Sequence, residues 1–523
     1  MVNEGESKKN AQTHNIRAAR QIVDTVKTTL GPMGMDKMLV DGGGNVIVTN
    51  DGATILRELD VAHPGGKMIV EVAKMQESLC YDGTTSTVVL AGQLLANSEM
   101  LFEKGLHPNV ICRGYHEASQ VATEYLKELK IQFDGAKLLQ VEWEEHLKNI
   151  ARTSITGKTL ETSLDAVSQL CVDAVTAAGN VDNVRVLSLP GGSIDDSYLF
   201  DGVVLNKDFV GGSDAEFSIQ GAHFALLNTG LEIEKNDDNV QVQLDAQSYQ
   251  SFKDSGKNDL LAHAQSIVSK MDGCGVLFIR DGVAESVSAY LRNNGVEVVQ
   301  RLPESSMKAL SNALGRDIYH RPEDIDAHYP LDIHVQKHND VNYLFVRRIP
   351  DYDSQESTLI LRGATTTTLD EVERGFDDAL GVVSLVLNCV SHPDGTMKNG
   401  GAVYGGGSAY VAMASHLRTR AASIGGRAQM AIEAFADALE SISATIAENA
   451  GHDPLDTVLA MRHAVLNGNT SMGPDVNNGG ITDMAEHGVV EPTELVRQAV
   501  LSATEVTNAI LRIDDIIGRK GVE

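Results

Sequence analysis

Apolar residues recur at helical spacing through the first part of the chain. Ile16, Ala19, Ile22, Val23 and Val26 fall on one face, and Met68, Val72, Met75 and Leu79 on another, so residues 16–129 read as mainly helical. The run Asn45-Val46-Ile47-Val48-Thr49 interrupts them as a short strand behind the turn Asp41-Gly42-Gly43-Gly44. A further helical run covers residues 141–178 and holds Trp143, the single tryptophan, whose expected role is core packing. After Gly179 the period changes. Strand-like runs at 184–189, 223–227 and 276–279 alternate with helical patterns at 259–271 and 284–293, which predicts an α/β block. From Gly407 the helical period returns. Ile432, Phe435, Leu439, Ile442 and Ile446 form a stripe that Gly451 and Asp453-Pro454 bring to a stop. Two helical blocks thus flank an α/β block, which suggests that the two ends of the chain build one domain.

Composition narrows the classes of function. At 523 residues the chain exceeds one ordinary core, so two to four domains are expected. With 42% hydrophobic and 22% charged residues it has the make-up of an ordered globular protein. Lys+Arg 43 against Asp+Glu 72 gives a formal charge of -29, spread along the chain, a field that repels nucleic acid and anionic lipid. Neither nucleic acid nor membrane is therefore an expected partner. The five cysteines are isolated, with no Cys-x-x-Cys spacing, which argues against a disulfide framework or a zinc site and for a reducing compartment. Residues 1–15 are polar, without the pattern of a signal peptide, and no apolar run is long enough to span a bilayer. The expected location is the cytoplasm.

Chemistry concentrates at Asp82-Gly83-Thr84-Thr85-Ser86, directly before the apolar run Val88-Val89-Leu90-Ala91. A carboxylate can hold a divalent metal, and hydroxyls with free amides at a helix N-terminus can receive phosphate. The same pentapeptide is also an ordinary turn into an N-cap. A second Asp-Gly, Asp51-Gly52, opens another helical pattern, and Gly31-Pro32 ends an earlier one. Gly405-Gly406-Gly407 precedes the helical segment near the C-terminal end, and glycine lets a backbone approach a ligand closely. Gly157-Lys158-Thr159 looks like the end of a P-loop, but the glycine that motif needs five positions earlier is Arg152, and Asn149-Ile150-Ala151 reads as helix where a strand is required. Asp377 and Asp378 adjoin on a helical pattern over residues 370–383, so at most one faces any given site. On composition alone that pair is a solvated face. None of the sixteen histidines has a metal or catalytic spacing; His463 and His487 read as surface or structural residues.

The segments Thr29-Leu30-Gly31-Pro32, Gly34-Met35-Asp36-Lys37-Met38-Leu39, Thr49-Asn50-Asp51-Gly52, Asp82-Gly83-Thr84-Thr85, Gly405-Gly406-Gly407 and Val489-Val490-Glu491-Pro492 occur in the order and approximate spacing of group II chaperonins. The chain resembles the archaeal thermosome and its eukaryotic relative TRiC over nearly its whole length, and is closest in character to the archaeal type. The resemblance implies a multidomain fold: a mainly α-helical equatorial ATPase domain from both chain ends (1–143 and 403–523), a small α/β intermediate hinge (144–211 and 362–402), and an α/β apical domain with a helical protrusion (212–361).

It further implies an ATP-dependent folding chaperone that hydrolyses ATP to ADP and phosphate, uses Mg²⁺, binds non-native polypeptides and assembles with identical or homologous subunits into an eightfold double ring. Carried over by position, Leu30, Gly31, Pro32, Gly52, Gly83, Thr84, Thr85, Ser86, Gly157, Lys158, Gly406 and Glu491 would bind the nucleotide. Within that set, Lys158 would sense the γ-phosphate and Glu491 would accept from the ribose hydroxyls. Asp82 would hold Mg²⁺, and Asp51 and Asp378 would be catalytic, converging on hinge closure.

The chain departs from the family pattern at several places. Tyr81 stands where the family has glycine, which suggests an alternative, a nucleotide-binding holdase or ring subunit with little turnover. Tyr410 replaces a glutamate expected to join neighbouring subunits. The connection after Asp378 carries an added turn at Ser391-His392-Pro393-Asp394-Gly395, residues 517–523 lack an apolar tail, and the lid position, residues 236–260, is polar, with Tyr249 and Phe252 as its few apolar contacts.

Overall fold

A computed structural model describes residues 4–40, 42–44, 46–131, 140–212, 217–232, 246–327, 330–347, 356–387, 390–391, 397–398 and 401–515. The chain divides into two compact units, residues 1–172 with 366–523, and residues 173–365. The first is mainly helical and built from both chain ends, whereas the second mixes helices and sheets, so the fold is multidomain α/β.

In the first unit the helix Thr84–Glu103 lies at the centre, apolar on most of its circumference, with Val88, Leu90, Ala91, Leu94 and Leu95 fully buried. Helices Glu4–Val26, Pro64–Cys80, Gly426–Asn449 and Thr493–Leu511 pack around it. Distant pieces are tied by polar contacts: Asn97 Nδ2 donates to the Ala434 carbonyl at 2.7 Å, and Gln12 Nε2 to that of Leu511 at 3.2 Å. The expected stripe from Ile432 to Ile446 is buried throughout.

Two local expectations are corrected and a third is extended. On the helix Pro64–Cys80, Met75 and Leu79 are 54% and 47% exposed, while Ile69, Val70, Ala73 and Cys80 face the core. Both stripes satisfy the helical period, and packing selects the second. The run expected over 141–178 is two helices, Gln140–Ile155 and Leu164–Ala178, parted at Gly157 (φ +79°) and the single 3₁₀ turn Thr159–Ser163. The strand Val46–Thr49 has a partner that the pattern did not reveal, Lys37–Val40, in an antiparallel hairpin with Lys37 opposite Thr49.

In the second unit the strand Phe217–Leu227 pairs parallel with Gly275–Ile279 and antiparallel with Leu331–His338 in a mixed sheet. One core beneath it includes Phe224, Phe278, Leu310 and Leu344. A smaller sheet places Ser357–Gly363 between Val184–Pro190 and Tyr198–Phe200. Of the expected lid, 236–245 lies outside the described residues, as do the side chains of Tyr249 and Phe252, while residues 246–260 fall within the helix Ala246–Lys270. Of the expected added turn, 392–396 lies outside the described residues, and Val390 pairs with Lys398 across it. Residues 517–523 also lie outside.

Candidate functional site

The site is assembled from turns at helix ends. Asp51 caps the helix Gly52–Glu58, its Oδ1 accepting from Ala53 N at 3.2 Å and its Oδ2 from Thr54 N at 2.8 Å, as an N-cap aspartate does. The second Asp-Gly turn joins Pro64–Cys80 to Thr84–Glu103. There Asp82 Oδ1 accepts from Gly83 N at 2.7 Å, and buried Gln76 donates to the Asp82 carbonyl at 3.2 Å and to that of Leu495 at 3.4 Å. The two turns abut. A Cβ on Gly52 would lie 2.4 Å from Thr85 Oγ1 and 3.3 Å from Thr84 Oγ1.

A third turn closes on both. A Cβ on Gly157 would lie 3.0 Å from Pro32 Cα and 3.1 Å from the Gly31 carbonyl oxygen, and Asn50 Nδ2 donates to the Gly157 carbonyl at 2.6 Å. On the far side, the strand Ala402–Tyr404 pairs with Val490–Pro492, with Val403 opposite Glu491, and Gly405 N donates to the Val489 carbonyl at 2.9 Å. That pairing brings the Gly406 N–H to the Glu491 carboxylate.

These turns enclose a cavity of about 840 Å³, within the range of small-molecule sites. Leu30, Gly31 and Pro32 border it, as do Asp51, Gly52, Asp82, Gly83, Thr84, Thr85 and Ser86, together with Gly157, Lys158, Gly406 and Glu491. Asp378 stands behind this wall. Its Oδ2 accepts from Lys158 Nζ at 2.6 Å, with both side chains less than one-fifth exposed. Asp377 is exposed, so one aspartate of the pair faces the site.

The electrostatics follow from one ammonium among several carboxylates. Burial alone would pull Lys158 down, but the carboxylates of Asp378, Asp82 and Asp51 hold it above its ordinary value and keep it charged. Burial pushes Asp378 up to about 8 against the pull of Lys158, with Asp82 and Asp51 adding to the rise. Burial, then Asp82, raises Glu491 to about 7 against the hydrogen bond from Gly406. A triphosphate entering a chamber lined by several carboxylates, with Lys158 and Arg152 as its cations, would be helped by a divalent cation. Among the described residues no three His, Cys, Asp or Glu side chains gather into a metal cage. Mg²⁺ needs no such cage, because it is commonly shared between one or two carboxylates and substrate phosphates, and Asp82 fits that part. Among the described residues, the buried Tyr410 hydroxyl and Asn50 Oδ1, both on residues of the cavity wall, have no hydrogen-bond partner.

Two expectations change here. Tyr410 is 2% exposed and borders the cavity, so its side chain lies in the interior of this unit. Tyr81 does not border the cavity. It takes a left-handed conformation (φ 64°, ψ −21°), which costs a residue with a side chain about 1–2 kcal/mol. Sequence reasoning missed the hairpin Met472–Pro474 with Ile481–Asp483, whose Pro474, Asp475, Asn478 and Thr482 border the cavity. Its signal was the turn sequence Asp475-Val476-Asn477-Asn478-Gly479-Gly480, which marks a tight turn and nothing about a ligand. His487 also borders the cavity, exposed, its Nε2 3.0 Å from the Thr482 hydroxyl.

Comparison with known proteins places these features in a family. The model of the TCP-1/cpn60 chaperonin family matches residues 22–521. Thermosome subunit alpha of Halobacterium salinarum is 38% identical over 98% of this chain and 89% of its own length. The thermosome subunit of Methanopyrus kandleri is 38% identical over 98% and 92%, and thermosome subunit beta of Methanothermobacter thermautotrophicus 37% over 97% and 92%.

Proposed function

Because the chain belongs to the TCP-1/cpn60 chaperonin family, we propose that it is an ATP-dependent protein-folding chaperone of the cytoplasm, one subunit of an eightfold double ring that encloses non-native polypeptides. The observation that carries this reading is the meeting of two Asp-Gly turns, the Gly31-Pro32 turn and the Lys158–Asp378 pair around one cavity. In this reading residues 1–143 and 403–523 form the equatorial ATPase domain, 144–211 and 362–402 the intermediate hinge, and 212–361 the apical domain with its helical protrusion.

The reaction is attack of water on the γ-phosphorus of ATP with departure of ADP, and its demands are charge neutralisation and an aligned nucleophile. Asp82 would hold Mg²⁺, which would supply that neutralisation when bound. The amides and hydroxyls of Gly83, Thr84, Thr85 and Ser86 receive phosphate oxygens at the start of their helix, and Leu30, Gly31, Pro32, Gly52 and Gly157 bring backbone close on the other side. Glu491 accepts from the ribose hydroxyls, beside Gly406. Asp51 and Asp378 orient the water and take its proton, and a carboxyl raised to about 8 is a competent base near neutral pH. Lys158 has one ammonium for two anions. Its partner is Asp378 until a γ-phosphate competes for it, and that exchange couples nucleotide arrival to release of the base.

Purified protein with Mg²⁺ and ATP is expected to release phosphate, and Asp378→Ala to abolish release while nucleotide binding persists. Equal hydrolysis by both proteins would remove Asp378 from the mechanism. Nucleotide binding without turnover in the wild type would favour a holdase. Low-resolution imaging of purified particles is expected to show toroids.

A further inference from the structure

Tyr81 and Gly381 form a complementary pair at the junction between the Asp82 turn and the helix that carries Asp378. Tyr81 ends the helix Pro64–Cys80 in the left-handed region, a conformation that persists for a tyrosine only where its surroundings impose it. Gly381 lies inside the helix Thr366–Leu387, buried, with no positive φ to call for a glycine. An interior glycine weakens a helix, so its presence there asks for a reason of space. The reason is the tyrosine. A Cβ on Gly381 would lie 2.0 Å from Tyr81 Cγ, 2.3 Å from its Cβ and 2.5 Å from its Cδ1, so the root of the ring occupies the notch that the missing side chain leaves.

Both residues are one short step from the chemistry. Gly381 follows Asp378 by three positions and shares its side of the helix. Tyr81 immediately precedes Asp82, and its N–H closes the preceding helix on the Glu77 carbonyl at 2.8 Å. The notch is rigid on both sides, since Tyr81 Cβ, 2.3 Å from the added methyl, is fixed to its own backbone and faces a helix backbone, so rotation of the ring about χ1 does not relieve the contact.

We propose that Tyr81, seated on Gly381, is a positioning residue that sets the spacing between the Asp82 turn and the Asp378 helix, and so the rate of the ATPase reaction. This rests on the function proposed above. In a reacting site, a misplacement of about 1 Å costs on the order of a hundredfold in rate. A methyl group at position 381 cannot be accommodated without a shift of that size.

The test is a size swap in the full-length protein, reading kcat and KM for ATP, affinity for a fluorescent ATP analogue, and melting temperature. Gly381→Ala is expected to lower kcat by on the order of tenfold or more, with KM and analogue affinity nearly unchanged. Tyr81→Gly alone empties the notch and is expected to lower kcat as well, whereas in the double variant the alanine methyl fills part of the space the ring has left, so the double variant is expected to be faster than either single one. A purely structural contact would move the melting temperature and leave the kcat of the folded protein alone. Wild-type kcat in Gly381→Ala, or a double variant no faster than the single ones, overturns the positioning role while phosphate release by the wild type leaves the ATPase reading standing. A wild type that releases no phosphate overturns both.

Discussion

Replacing Gly52 by alanine places one methyl group between the two Asp-Gly turns, and its effect can be worked out atom by atom. The new Cβ would lie 2.4 Å from Thr85 Oγ1, 3.3 Å from Thr84 Oγ1 and 3.4 Å from Thr85 N. The first contact is about 1 Å short of ordinary van der Waals separation, and the others are tight but tolerable. A hydroxyl at the end of a short side chain yields by rotation, so the Thr85 hydroxyl turns aside and the two helices stay in place. Strain at the low end of over-packing, about 1 kcal/mol, is partly offset by the better helix propensity of alanine over glycine, which at the first position of the helix is below its interior value of about 1 kcal/mol. Stability should therefore change little. Under the proposed function the activity should not escape so lightly, because a rotated Thr85 hydroxyl would no longer meet a phosphate oxygen, and a hydrogen bond to a charged group contributes about 1.5–3 kcal/mol. At about 1.4 kcal/mol per decade, kcat/KM for ATP falls roughly 10- to 150-fold. The assay is phosphate release across ATP concentrations, beside a thermal melt. In a Thr85→Ala background the clashing atom is gone, so Gly52→Ala should add little there. A kcat/KM within threefold of wild type, or an undiminished loss in that background, would refute the reasoning.

Lys158→Gln removes the ammonium that pulls Asp378 down toward its value of about 8, so the carboxyl keeps its proton to higher pH; the rise of kcat with pH should move up by about one unit or more, and an unmoved midpoint counts against this base. Glu491 is raised from 4.5 to about 7, mainly by burial, so the folded state holds this proton more tightly than the unfolded chain, and the stability it contributes below pH 4.5 is lost as pH rises through 7. Without nucleotide or Mg²⁺, Glu491→Gln should therefore gain on wild type by up to about 3 kcal/mol between pH 4 and pH 8 in urea unfolding, and an equal difference at both pH values contradicts the burial argument. Glu440, 4% exposed, accepts from Arg418 at 2.5 and 2.7 Å and from Arg462 Nε at 2.6 Å, joining three helices. Its replacement by alanine should cost about 2–4 kcal/mol of unfolding free energy, less than a fully buried pair because both arginines are partly exposed, and a loss below about 1 kcal/mol would show the network to be replaceable.

What the amino-acid sequence determined by itself was local. Asp51 and Asp82, each followed by glycine and a helical run, announce helix starts because capping involves only atoms within three residues of one another. The stripe from Ile432 to Ile446 announces a buried face because its period suits only a helix, and the family resemblance added which turns to compare. Local pattern failed on the helix Pro64–Cys80, where two apolar stripes fit the same period, and at 157, where a glycine inside a helical run left the break unannounced. The tertiary structure alone decided which turns meet. Lys158 reaches Asp378 across 220 positions and Gln76 reaches Leu495 across 419, and no short-range preference encodes such a contact. The same holds for Tyr81, which the sequence marks as a departure from the family pattern but whose contact with Gly381 only the folded chain makes. Periodicity and caps specify the pieces through the backbone's own hydrogen bonds, whereas the site exists only once close packing selects one mutual arrangement of pieces that local chemistry leaves free.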